Sequence, residues 1–155
     1  MDINFHSSVL FVKNIEDSKA FYCNILKQEI ATDFGNNISL KTGLTLWQVP
    51  EWHDLNKGFY TKRNANKAME LYFETSNIEE VVKQIEQNNV SLQHELIEES
   101  WGQRTIRIFD PDNNLVEIGE KLEIFIKRLH TEGLSIEEIN KKTGIPVKLI
   151  SDYIL

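Results

Sequence analysis

The chain has 155 residues, of which 41% are hydrophobic and 26% charged, enough for one compact domain or a domain with an appendage. No run approaches the ~18 apolar residues of a membrane span, and the first residues lack the basic and apolar regions of a secretory signal. The single cysteine, Cys23, excludes an internal disulfide framework and a cysteine-rich zinc site, so a cytoplasmic protein is expected. The net charge of −7 lies wholly in residues 1–119, since residues 120–155 hold six basic and six acidic side chains. An acidic body repels nucleic-acid phosphates and favours neutral or cationic small molecules.

Residues 9–12 read as a strand, rich in β-branched and aromatic side chains. Asn14 then caps a helix with Ile15, Phe21, Tyr22, Ile25 and Leu26 on one face. Strands are predicted at 29–33, 38–41 and 44–49, separated by the turn residues Gly35-Asn36-Asn37 and Thr42-Gly43. Residues 50–67, with Pro50, Gly58 and a polar run, form a connecting loop. The pattern then restarts with a strand at 70–75 and a helix capped by Asn77, with Ile78, Val81, Val82 and Ile85 at helical spacing. Strands follow at 91–97, 104–109 and 115–119, the last two joined by the turn Asp110-Pro111-Asp112-Asn113-Asn114.

The segments Asn14-Ile15-Glu16-Asp17 and Asn77-Ile78-Glu79-Glu80 lie 63 positions apart, so one β-α-β-β-β unit is written twice. Each copy is too small to bury its own sheet face. The expected fold is α+β, two such modules (5–50 and 69–119 within a domain 1–120) forming a curved sheet with a cleft on its concave side. Residues 121–155 make a helical appendage: a helix at 121–130, a second opened by the capping-box pattern Ser135-Ile136-Glu137-Glu138, and a third at 147–154. The turn Thr143-Gly144-Ile145-Pro146 between the last two resembles a helix-turn-helix. Residues 120–155 net zero charge where a nucleic-acid reader carries a basic footprint, so a packing or dimer-capping role is expected.

The chain resembles the vicinal oxygen chelate superfamily, which includes glyoxalase I, bleomycin-resistance proteins and extradiol dioxygenases. The resemblance rests on Phe11-Val12-Lys13-Asn14 with Phe21-Tyr22 and Leu26, on Leu71-Tyr72-Phe73-Glu74 with Asn77-Ile78-Glu79, and on Phe109-Asp110-Pro111-Asp112 followed by Val116-Glu117-Ile118. It covers about residues 5–120. It implies that metal-dependent members take one ligand from the first and one from the last strand of each module. Alternation turns Glu70, Tyr72 and Glu117 toward the cleft, so Glu70 and Glu117 are the candidate ligands for a divalent ion (Zn, Ni, Mn or Fe) and the candidate catalytic carboxylates. In the first module the repeat offset sets Ser7 over Glu70, and alternation sends Thr45 and Trp47 to the cleft. These are poor metal ligands, and Gln48 would serve only through a bulge. The same two carboxylates could instead be solvated or paired with Arg104 or Arg107.

Trp47, Trp52, Phe59, Tyr60, Tyr72 and Trp101 cluster near the expected cleft mouth, where aromatic rings stack planar or cationic ligands or simply pack. Trp101-Gly102-Gln103-Arg104 reads as a tight turn ahead of a strand, with Arg104 a candidate for an anionic group. Ser7, Trp47, Tyr72, Trp101 and Arg104 are thus the candidate ligand-binding residues. His53 could assist a metal, whereas His94, His130 and Cys23 stand alone in sequence. The leading expectation is a homodimeric small-molecule-binding protein with a neutral or cationic ligand in the cleft. The alternatives are a metal-dependent glyoxalase-like lyase, isomerase or dioxygenase using Glu70 and Glu117, and a ligand-sensing regulator acting through the C-terminal helices.

Overall fold

The computed structural model describes residues 2–53 and 69–154; the aromatic candidates Phe59 and Tyr60 lie outside the described residues, as does most of the connecting segment 50–67. The chain divides into two units, Met1–Asn66 with Asp110–Asn114, and Lys67–Phe109 with Leu115–Leu155.

In the first unit, β1 (Ser8–Phe11) leads into α1 (Ile15–Lys19), which widens into a π-helical turn over Ala20–Ile25. Then come β2 (Ile30–Asp33), β3 (Asn37–Leu40) and β4 (Leu44–Trp47). The sheet order is β1-β4-β3-β2, with β1 parallel to β4 and the other pairs antiparallel. Asn14 caps α1 as its sequence position requires, its Oδ1 accepting from the Glu16 and Asp17 amides at 2.9 and 3.3 Å. Leu10, Val12, Ile15, Phe21, Tyr22, Ile38, Leu40, Leu44, Leu46 and Val49 form the buried set. The turn Asp110–Asn114 belongs to this unit: Tyr22 Oη donates to Asp110 Oδ2 at 2.8 Å, and the Lys13 amide donates to the Asp112 carboxylate. Burial, then the charge of Asp110, pushes the Tyr22 phenol well up, so it acts as a fixed donor.

In the second unit, β5 (Leu71–Thr75), α2 (Ile78–Gln87), β6 (Leu92–Glu98), β7 (Arg104–Phe109) and β8 (Leu115–Glu120) repeat the order. The sheet order β5-β8-β7-β6 repeats that of the first unit, with β5 parallel to β8. Asn77 repeats the cap, accepting from the Glu80 amide at 3.1 Å. The doubled Asn-Ile-Glu-acid segment is therefore a doubled helix start: an Asx cap, then an apolar first residue (Ile15, Ile78) that is buried in each case. Among the described residues the strands pair within two four-stranded sheets, one per unit.

Helices α3 (Leu122–Thr131), α4 (Ile136–Thr143) and α5 (Val147–Ile154) follow β8 directly. Phe125, Ile126, Leu129, Ile139 and Ile150 form their shared core. The Ser135–Glu138 capping box is present, and Gly144 ends α4 in the left-handed region at φ 75°, which explains a glycine there. Helix α3 is bound to the second sheet by charge. Glu120, only 1% exposed, receives Arg104 Nε at 2.9 Å and Arg128 Nη2 at 3.0 Å. Burial alone would raise the Glu120 pKa, but the hydrogen bonds from both arginines hold it below the ordinary carboxylate range. No described helix is long and apolar enough to cross a membrane.

Candidate functional site

Register builds the site. In the second sheet Tyr72 pairs with Glu117, Glu117 with Arg107, and Arg107 with His94, so one row of side chains crosses all four strands. Alternation puts Val116 and Ile118 on the opposite face, where they are 0% and 3% exposed. Glu70, two residues before Tyr72, joins the row from just outside β5.

The Arg107 guanidinium is the centre of this face. Its Nε donates to Glu70 Oε2 at 3.0 Å and its Nη1 to Glu99 Oε1 at 2.8 Å. Its Nη2 forms a close ion pair with Glu117 Oε2, an oxygen that has no other hydrogen-bond partner and belongs to a side chain only 6% exposed. Arg107 Nη1 also faces His94 Nε2 at 3.3 Å. His94 Nδ1 lies 2.7 Å from the Glu95 carbonyl, which can only accept, so Nδ1 carries the proton. In the neutral ring Nε2 then turns its lone pair to the guanidinium. Glu99 also accepts from Thr105 Oγ1 at 3.1 Å, and the Arg107 hydrogen bond holds its carboxyl below the ordinary range. Burial works against the Arg107 charge, but Glu99 and Glu70 more than offset it and raise the pKa.

This arrangement bears on the divalent ion that the resemblance implies. The two expected carboxylates do come together, on one face and on one partner, but that partner is a guanidinium lodged between them. Among the described residues no three His, Cys, Asp or Glu side chains converge as a metal cage. The donor set is already engaged by a side chain that carries its own positive charge, so it does not fit a divalent ion in this arrangement.

Two of the expected ligand-binding residues meet beside this row. Trp101 Nε1 donates to Gln103 Oε1 at 3.2 Å, and Gln103 Nε2 donates to Tyr72 Oη at 2.8 Å. Gly119 makes the crossing possible, because a Cβ there would stand 2.8 Å from Gln103 Nε2 and 3.1 Å from Tyr72 Oη. The expected turn at Trp101-Gly102 is present, with Gly102 at φ 98°. Tyr72 and Trp101 nevertheless keep 47% and 38% of their surface exposed, so two rings stand free beside the ionic row. Tyr72 is raised in pKa, chiefly by burial.

Arg104 does not join them. Odd and even residues of β7 face opposite ways, and Arg104 turns to Glu120 and Glu79 on the other face. In the first unit the corresponding row carries no charge. Register sets Thr45 where the second unit has Glu117 and Ser39 where it has Arg107. Ser39 and Thr45 hydroxyls lie 3.1 Å apart, and Thr45 Oγ1 donates to Ser7 Oγ at 3.4 Å. Trp47 packs near Phe11 and His53, with ring centroids 5.8 and 5.4 Å away. Gln48 is occupied otherwise: its Oε1 accepts from the Ile15 amide at 2.8 Å, helping to start α1. Cys23 is a free thiol whose pKa burial raises, the opposite of an activated nucleophile.

Sequence reasoning missed Glu99 and His94 and left Arg107 as one of two pairing options. The available signal was β7 itself, where Thr105 and Arg107 share a face opposite Arg104. Choosing between the arginines required cross-strand register.

The model of the glyoxalase-like domain matches residues 5–123. No curated protein matches the chain. Among solved structures, a protein of unknown function from Agrobacterium tumefaciens is 31% identical, covering 79% of this chain and 97% of its own, with a TM-score of 0.66. A lactoylglutathione lyase from the same organism is 19% identical (78% and 96% covered, TM-score 0.56) and shares the fold. So does a glyoxalase/bleomycin resistance protein/dioxygenase from Alicyclobacillus acidocaldarius, 16% identical (77% and 92% covered, TM-score 0.56).

Proposed function

The chain belongs to the glyoxalase-like domain family of the vicinal oxygen chelate superfamily, and on that premise we propose that it binds a neutral or cationic small molecule on the Tyr72–Glu117–Arg107 face. The observation that supports this is the charge count of the row. Among the described residues three carboxylates (Glu70, Glu99, Glu117) surround one guanidinium, so the carboxylates outnumber the cation they share. Tyr72 and Trp101, held by Gln103 and still exposed, offer faces on which a planar cation can lie. In this reading Tyr72 and Trp101 contact the ligand and Glu70, Glu99 and Glu117 set its charge preference. Of the other expected ligand-binding residues, Arg104 turns to Glu120 and Glu79 on the opposite face, and Ser7 and Trp47 belong to the first unit. The protein works as a homodimer in the cytoplasm, where the free Cys23 is at home.

The metal-dependent alternative, with Glu70 and Glu117 as ligands and catalytic carboxylates, requires Arg107 to withdraw from both. In the regulator alternative the last helix would offer Lys148, which pairs with Asp152 at 3.1 Å on the exposed face of α5.

The test is a tryptophan-fluorescence titration with a quaternary quinolinium and with neutral quinoline. Saturable quenching by the cation is expected, weaker in Glu99→Gln and Trp101→Phe and insensitive to Ser7→Ala. Non-saturable quenching, or binding unchanged in both site variants, contradicts the reading.

A further inference from the structure

We propose that Arg107 is the resident cation of this site: it fills the position between Glu70 and Glu117 that the family resemblance assigns to a divalent ion, and it keeps such an ion out.

The geometry of the guanidinium carries this. Each of its three nitrogens addresses a different carboxylate, and each carboxylate comes from a different segment: Glu70 ahead of β5, Glu117 within β8, Glu99 after β6. A planar fork can satisfy three acceptors in this way, whereas a lysine ammonium would act as one point charge. A divalent ion needs several oxygen or nitrogen ligands at about 2.0–2.6 Å. Glu70, Glu99 and Glu117 each already give an oxygen to a guanidinium nitrogen, and Arg107, 22% exposed, would give up all three pairs on leaving. Two cations in one ring of carboxylates would also repel each other.

The first unit supports the same conclusion. Its corresponding row, Ser7, Thr45 and Ser39, has hydroxyls at all three places and no charge that calls for a counter-ion. Carboxylates and guanidinium therefore occur together in one row and are absent together from the other.

Removing Arg107 should let a metal site form, because carboxylates that do not converge as a cage around the guanidinium are then free to close on a smaller ion. Among the described residues the row then holds three carboxylates and His94, whose Nε2 already points to the guanidinium with its proton held on Nδ1. Such a set suits zinc. The inference does not depend on the organic-ligand reading, and a quinolinium titration and a metal titration fail separately.

The experiment is a calorimetric titration of the untagged full chain with Zn²⁺, with thermal shift in parallel. Wild type and Arg107→Lys should show no saturable uptake. Arg107→Ala should bind about one equivalent, at least about tenfold more tightly than wild type once the competing charge is gone, and Arg107→Ala/Glu117→Gln should lose that gain. If Arg107→Ala does not fold, Arg107→Gln makes the same comparison. Stoichiometric Zn²⁺ uptake by wild type that Glu117→Gln abolishes would overturn the proposal. So would a folded Arg107→Ala or Arg107→Gln that binds no better than wild type.

Discussion

Arg107 gains most of its effect from what its absence would leave behind. Glu117 is buried, and among the described residues Arg107 is the cation paired with it, so Arg107→Met would strand a desolvated carboxylate. Breaking a buried pair in this way costs about 3 kcal/mol, measurable by urea unfolding, and Glu117→Gln in the same background should recover part of the loss. The acid limb of stability follows from the same kind of contact. Glu99 and Glu120 are held below the ordinary glutamate range by arginines. A depressed carboxylate contributes stability that is fully present above the unfolded pKa of about 4.3 and is lost as pH falls through the lower folded value. The Tm should therefore be level from pH 7 to about 5 and fall below about 4.3, with a shallower fall in Glu99→Gln. A Tm that rises on acidification would contradict the assignment. At this scale the sequence was half legible. Alternation alone put Glu117 and Tyr72 on one face, but the choice of Arg107 over Arg104 needed the register of β6, β7 and β8, which no local pattern encodes.

At the scale of elements the repeat is the most legible feature, because it rests on local chemistry. Asn14 and Asn77 each satisfy first-turn amides that would otherwise go unpaired. Asn77→Ala should cost about 1 kcal/mol by thermal or chemical unfolding, and Asn77→Ser should restore most of it. The succession of strands and helices along the chain and the capping box at Ser135 were readable for the same reason. What could not be read was Gly119, which looks like an ordinary strand glycine until Gln103 is seen crossing it. A Cβ there meets the Gln103 amide at 2.8 Å. Gly119→Ala should displace Gln103 from Tyr72 and Trp101, detectable as a shift in tryptophan emission that Trp101→Phe removes. Emission identical to wild type would show that the crossing is not held in solution.

At the scale of the molecule, the C-terminal helices looked in sequence like an appendage with a balanced charge. Their structure gives that charge a place: Arg128 on α3 reaches buried Glu120, the Gly102 carbonyl and Glu98, and Lys142 on α4 also reaches Glu98. Composition cannot disclose this, since it counts charges without pairing them. Truncation after Glu120 should lower the Tm of the remainder sharply, and Arg128→Met in the full chain should reproduce part of that drop. Arg107, fixed among its glutamates, is the centre of the site, and a ¹⁵N-edited NMR spectrum of the arginine side chains tests this most directly. A protected Arg107 Nε–H resonance that persists at neutral pH and loses its protection in Glu70→Gln is expected. A resonance that exchanges with water as fast as that of a surface arginine, and is unchanged in Glu70→Gln, would contradict it.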